Sequence, residues 1–248
     1  MQTLTQPMYI ISVEGTLVTG DTTIHPDFKN WFMKWASKRE VYLTSNNTFS
    51  RTMQQLGSYL CLSVTEVNHC CGNAIWAQGR PVSKTKTVLP SKIRAWLEFE
   101  LAKSEFPTKV GERIEERPGM LYGTIPGLDA SQKERVAYVT WDKQYSERRK
   151  IVEAFNVNNP GYVSFLDGDV GISVTDASHN KGQLVARLKN GANNQIVFIG
   201  HNINSFSNDQ TVVDGLSPFD TWHSTADWHE TWKLLKLQYV QPTETKKH

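Results

Sequence analysis

The sequence predicts an α/β fold in which both ends of the chain build a parallel sheet and an α+β insert fills the middle. Three observations predict it: a strand–helix–strand opening, a change of texture near residue 82, and a return of strand–helix texture from Lys181. The expected division is a discontinuous core of residues 1–81 and 179–248 around an insert of 82–178. At 248 residues, 39% hydrophobic and 21% charged, the chain suits one large or two small soluble domains.

In chain order, "YIISV" (9–13) reads as a short buried strand, and Glu14, Gly15 and Thr16 as the tight loop after it. "HPDFKNWFMKWASKRE" carries Phe28, Trp31, Phe32 and Trp35 at helical spacing, and "VYLTSNN" returns to strand and polar turn. "SRTMQQLGSYL" is a second amphipathic helix candidate, and "AIWAQGRPV" a hairpin turning at Gly79. In the insert, "SKIRAWLEFELAKSEF" and "SERRKIVEAFN" are helical, "ERIEERPGMLYGTIPG" is two strands around a turn, and "YVSFLDG" and "VGISVTD" alternate as strands. Then "KGQLVARL" is a helix, "QIVFIG" a buried strand, and "HNINSFSND" its loop. In "STADWHETWKLLKL", Ser224 and Asp227 have capping-box spacing, and Trp228, Trp232 and Leu235 share one helical face. Trp31, Trp35, Trp228 and Trp232 are therefore expected in core faces rather than on a stacking platform for bases or sugars.

A formal charge of +2 singles out neither nucleic acid nor an acidic membrane as partner. The terminal "TETKKH" is a mildly basic tail. Cys61, Cys70 and Cys71 form an odd set without metal-ligand spacing, and the adjacent pair cannot bridge without strain, so a reducing cytoplasm is expected. No apolar run approaches the roughly 20 residues that span a bilayer, and no basic segment precedes an apolar one at the N-terminus, so neither anchor nor signal peptide is expected.

Four pieces stand in the order of a haloacid-dehalogenase (HAD) type phosphotransferase: strands ending in "SVEGT" and "LTSNN", a helix opening with Lys181, and a strand running into "IGHNINSFSND". The sequence more specifically resembles the eukaryotic-type phosphomannomutases over nearly its full length. The resemblance is carried by "SVEGTLV", "SNNTFSRTMQQLG", "GNAIWAQGRPV", "RIEERPGMLYGTIPG", "SQKERV", "GDVGISVTD", "FIGHNINSFSND" and "HSTADWHETWKLL". It implies a HAD-type Rossmann-like parallel-sheet core, a cap formed by the α+β insert, a homodimer through that cap, and a magnesium-dependent phosphoaspartyl mechanism on hexose phosphates.

Carried over residue by residue, the resemblance yields a depleted site. The nucleophilic aspartate falls on Ser12, which has no carboxylate to form an acyl phosphate. The general acid/base aspartate falls on Glu14, one methylene longer. A metal-binding aspartate falls on His201, leaving Asp209 as the metal candidate, so no cofactor is expected and magnesium is the one ion in question. Lys181 remains, as does the strand end Thr44, Ser45, Asn46 and Asn47 for phosphate or substrate. Phosphate-clamping arginines map to Arg117 and Arg135, and also to Asp21 and Leu128, where they are lost; the serine of the sugar-facing strand is Ser173, and the aspartate near it has become Thr175.

Two readings follow. One is a pseudoenzyme that binds phosphate or a phosphosugar, or serves as an interaction module, with Lys181 in a pocket less negative than that of an active member. The other is an active phosphatase or mutase of altered mechanism using water activated by Glu14. Other constellations each have a blander alternative: Ser12 with His201 and Glu14 as a triad against a structural serine, His223 with His229 as metal ligands against surface or capping roles, "CCGNA" with His69 as a reactive thiol against buried apolar packing, and Arg148, Arg149 and Lys150 as a nucleic-acid contact against a solvated face.

Overall fold

The computed structural model describes residues 6–20, 22–190 and 194–240, so Asp21 and the terminal "TETKKH" lie outside the described residues. A seven-stranded sheet has the order β11-β10-β1-β2-β3-β4-β5, formed by β1 (Met8–Ser12), β2 (Glu40–Thr44), β3 (Glu66–His69), β4 (Ala74–Ala77), β5 (Arg80–Lys84), β10 (Ile196–His201) and β11 (Thr221–Thr225). The strands β11, β10, β1, β2 and β3 are parallel, and the hairpin β4–β5 continues the sheet antiparallel. Gln78 and Gly79 both have positive φ (50° and 75°), the twist that a two-residue hairpin turn requires.

Strand β1 is buried along its whole length because it is central, with β2 on one side and β10 on the other. Helix α1 (Pro26–Ala36) starts on a proline, whose missing N–H costs nothing at a first turn, and buries Phe28, Phe32, Trp35 and Ala36. It packs beside α9 (Trp228–Gln238), and Trp31, Trp228 and Trp232 lie partly buried against the same core as Trp35. The tryptophans are packing residues, with Trp31 and Trp35 stacked at 6.2 Å.

A second sheet, β6-β7-β9-β8, is antiparallel and comes from β6 (Ile114–Arg117), β7 (Met120–Thr124), β8 (Tyr162–Asp167) and β9 (Gly171–Asp176). Its alternation is amphipathic. Ile114, Leu121, Ile172 and Val174 pack against α4 (Ser91–Lys103), α5 (Gln132–Tyr145) and α6 (Glu147–Asn158), whereas cross-strand partners place Glu115, Arg117, Tyr122, Ser173 and Asp167 on the opposite face. That polar face meets the ends of the parallel strands: Arg117 donates to Asn46 O (3.0 Å), and Met120 Sδ lies 3.8 Å from Cys71 Sγ. The architecture is the expected parallel-sheet core with an α+β cap.

Several local expectations need correction. The helix read across "SRTMQQLGSYL" is two, α2 (Phe49–Leu56) and α3 (Ser58–Leu62), because Gly57 adopts φ 78°, ψ 156°, a conformation glycine alone takes readily. Ser224 does not cap α9. It lies in β11, and Asp227 is the cap, accepting from the N–H groups of His229 (2.9 Å) and Glu230 (3.0 Å). Strands β3 and β11, helix α5, and α8 (Asn208–Asp214), which follows the loop after β10, were not foreseen.

Candidate functional site

The carboxyl ends of β1, β2 and β10 converge, and the chain leaves β1 in one direction and returns along β10 from the other, the position where open parallel sheets take ligands. Ser12 ends β1 opposite Thr44 of β2. The next residues form a tight turn in which Val13 O accepts from the N–H groups of Leu17 (2.9 Å) and Val18 (3.2 Å). Gly15 has φ +76°, and a Cβ there would lie 2.3 Å from the His201 ring. Glycine is therefore required by close approach as well as by conformation.

At the tip of β1, Ser12 Oγ donates to Asp209 Oδ1 (2.7 Å), and Lys181 Nζ donates to the same oxygen (2.8 Å) and to Ser12 Oγ (3.2 Å). All three residues are at most 4% exposed. Asp209 Oδ2 accepts the backbone N–H of His201 (3.0 Å), and the Asn208 side chain accepts that of Lys181 (3.2 Å). Burial pulls the Lys181 ammonium down, but Asp209 first and Glu14 second outweigh it and hold its pKa above the ordinary lysine value. A buried ion pair of this kind costs about 3–5 kcal/mol to break from one side.

Asp209 is thus fully engaged, and the residues do not fit a magnesium site. The ion wants several hard oxygens in octahedral array, whereas here an ammonium sits on the carboxylate and a hydroxyl stands where another carboxylate would be needed. Among the described residues no group of three or more His, Cys, Asp or Glu side chains could hold a metal. His201, where the resemblance places a metal-binding aspartate, has both ring nitrogens engaged. Its Nδ1 carries the hydrogen because its neighbour, Thr225 O at 2.9 Å, can only accept, and its Nε2 takes the Asn202 amide (2.6 Å). With both nitrogens spent and Ser12 bonded to Asp209, the triad of Ser12, His201 and Glu14 does not form.

Glu14 accepts from Ser45 Oγ (2.5 Å), Asn47 Nδ2 (3.0 Å) and, weakly, the Asn46 N–H (3.4 Å). Burial raises its pKa, with Lys181 and the Ser45 hydroxyl opposing. Ser45, Asn46 and Asn47, expected to face phosphate, are turned toward Glu14 and the cap. Asn46 Oδ1 also takes Asn208 Nδ2 (3.3 Å), and Ser45 Oγ takes the Asn47 N–H (2.9 Å). Thr44 Oγ1 is buried without a hydrogen-bond partner among the described residues.

From the cap, Arg117 reaches the site, but its Nε and Nη2 bind Glu115 (2.9 and 2.7 Å) while the guanidinium lies 4.3 Å over Tyr122. Arg135 donates to Ala130 O (3.1 Å) and Leu128 O (3.2 Å) at the start of α5. Ser173 is fully buried on the polar face, and its Oγ lacks a partner among the described residues. Asp167, at the end of β8, was missed. It is 7% exposed, its Oδ2 has no partner among the described residues, and its charge acts on Glu14, Arg117 and Tyr122. The junction thus brings Glu14, Glu115, Asp167 and Asp209 together with Lys181 and Arg117, and Arg51 and Arg135 also act on Tyr122 there.

The remaining candidates have structural roles. His223 Nε2 meets Tyr239 Oη (2.7 Å), and His229 stacks on Trp228 at 3.6 Å, so the two do not share a metal. Burial pushes the Cys70 thiol up to about 12, and the neighbouring His69 is pulled down to about 4, so no thiolate is favoured. Arg148 binds Asp142 (2.8 Å) inside the cap.

Compared with known proteins, residues 38–236 match the family model described as eukaryotic phosphomannomutase. The phosphomannomutase of Saccharomyces cerevisiae is 22% identical over 218 residues, covering 85% of this chain and 83% of that protein. Phosphomannomutase 1 of Homo sapiens is 24% identical over 233 residues, covering 90% and 88%. Among solved structures, the C-terminal domain of C. albicans trehalose-6-phosphate phosphatase aligns with a TM-score of 0.56 at 15% identity, covering 97% of this chain and 79% of that one. The N-terminally truncated IMP-nucleotidase of Plasmodium falciparum bound to IMP aligns with a TM-score of 0.61 at 13% identity, covering 93% and 67%. At these identities the structural likenesses speak to the fold alone.

Proposed function

Because the chain belongs to the eukaryotic phosphomannomutase family, we propose that it is a member that has given up phosphoaspartyl transfer and keeps the space between core and cap for binding a phosphosugar or phosphate. One observation carries this reading: the tip of β1 presents a hydroxyl, Ser12 Oγ, already donated to Asp209 and bonded by Lys181. A serine there offers no carboxylate oxygen to a migrating phosphoryl group, and no base stands free beside it. The lysine that would balance a cluster of carboxylates is instead neutralised one to one.

In this reading residues 82–178 work as the cap, save 82–84, which finish strand β5 of the core sheet, residues 1–81 and 179–248 as the core, and Lys181, Arg117, Ser173 and the Thr44–Asn47 strand end as binding groups, with no resident metal. The cap also supplies a homodimer contact, for which exposed Phe99, Val136 and Val157 on its helices are the support. The free thiols support a reducing compartment such as the cytoplasm. No helix among the described residues is long and apolar enough to cross a membrane. The competing reading, turnover by water activated by Glu14, would require that carboxylate to exchange its bonds with Ser45 and Asn47 for one to water.

The test is an assay of phosphate release from mannose 6-phosphate and an aryl phosphate with magnesium. The expected result is no release above the rate without protein. Magnesium-dependent release abolished by Glu14→Ala would replace this reading with the catalytic one.

A further inference from the structure

On the cap face that closes over the strand ends, Asp167 is a buried carboxylate with an unpartnered oxygen, and Ser173 Oγ, also buried, is unpartnered among the described residues. The sheet register brings them together. Asp167 stands opposite Gly171, and Ser173, two residues along β9, is its same-face diagonal neighbour, a separation within reach of a single small ligand. Gly171 leaves room for the Tyr122 ring, since a Cβ there would lie 2.2 Å from it. Tyr122 pairs with Ser173, so an acceptor-only carboxylate, a hydroxyl and a phenol line one patch. A buried acceptor without a donor is costly, and its retention points to a donor supplied from outside the chain.

We propose that Asp167, with Ser173, receives the ring hydroxyls of a carbohydrate and is a specificity-determining group of the pocket between core and cap. A carboxylate repels a phosphate and accepts from hydroxyls, so this patch takes the sugar end of the ligand and not its phosphate. The assignment rests on the phosphosugar-binding reading above and adds a residue to it. Of the carboxylates at the junction, Asp209 binds Lys181, Glu115 binds Arg117 and Glu14 is held by Ser45 and Asn47, whereas Asp167 Oδ2 accepts no hydrogen bond among the described residues.

Calorimetric titration of the full chain with mannose 6-phosphate and with inorganic phosphate, alongside melting curves without ligand, tests this on Asp167→Ala and on the isosteric Asp167→Asn. Both variants are expected to weaken mannose 6-phosphate by about 10-fold or more and to leave inorganic phosphate unchanged, with a modest fall in melting temperature because the lost charge acts on the buried Arg117. Unchanged binding of the phosphosugar by both variants overturns the assignment of Asp167 while the phosphosugar reading stands. Weakened binding of inorganic phosphate together with the phosphosugar in both makes Asp167 structural and also overturns it. A wild type that binds neither probe removes the phosphosugar reading and this inference with it.

Discussion

Single side chains at this site are defined by what already holds them. Lys181 and Ser12 share one oxygen of Asp209, so the chemistry of the β1 tip is that of a closed hydrogen-bonded trio. Nearby, His69 is 1% exposed, its Nδ1 meets Thr52 Oγ1 at 3.2 Å, and burial lowers its pKa to about 4. As pH falls through about 6.5 the unfolded chain binds this proton while the folded one does not, so stability declines from there down to about 4. The accumulated loss is roughly 3 kcal/mol. Urea unfolding near pH 7 and near pH 4.5 should show a fall in midpoint that His69→Gln largely removes; an equal fall in the variant would contradict the assignment. Ser12, Glu14, Lys181 and Asp209 were legible in the sequence because each sits at a strand or helix end within a short motif. Asp167 was not, because an aspartate before a glycine at a strand end has the same local appearance whether it makes a turn or faces a ligand.

Among the elements, the readable ones carry their own signal. Strand β1 is a run of buried apolar residues, and α1 and α9 repeat aromatic residues on one face. Strands β3 and β11 are short and mix polar residues, and their stability comes from ladders with β2, β4 and β10 and not from an apolar pattern of their own. Helix α5 buries only Tyr138 fully, so its apolar stripe is faint, although Ser131 and Glu134 make a reciprocal capping box. The start of α9 separates two sequence signals that look alike. Asp227→Ala should cost about 1 kcal/mol in thermal unfolding, and Ser224→Ala should fall within about 0.5 kcal/mol of the wild type. The reverse order of effects would restore Ser224 as the cap.

Over the whole molecule, the order of the four motifs was enough to read a parallel-sheet core and an inserted cap, because those motifs mark strand ends that must converge. What holds cap to core was not readable, since it joins residues far apart in the chain. Arg117 reaches Asn46 O, and Asn73 Nδ2 donates to His179 O (3.0 Å) while the Asn73 backbone carbonyl accepts from the Thr85 N–H (2.8 Å), tying both segments that cross between the two sheets. The loop after β10 joins the edge of the cap sheet through Leu166 N–H to Phe206 O (2.9 Å), with the Phe206 ring packed against the cap core and Arg149 4.7 Å above it. These contacts enclose a strand tip that carries a hydroxyl in place of a carboxylate. The most direct measurement is the intact mass of the full chain after incubation with glucose 1,6-bisphosphate and magnesium. The unmodified mass is predicted at every time point. A phosphoryl adduct mapped to Ser12 or Glu14 would contradict the account.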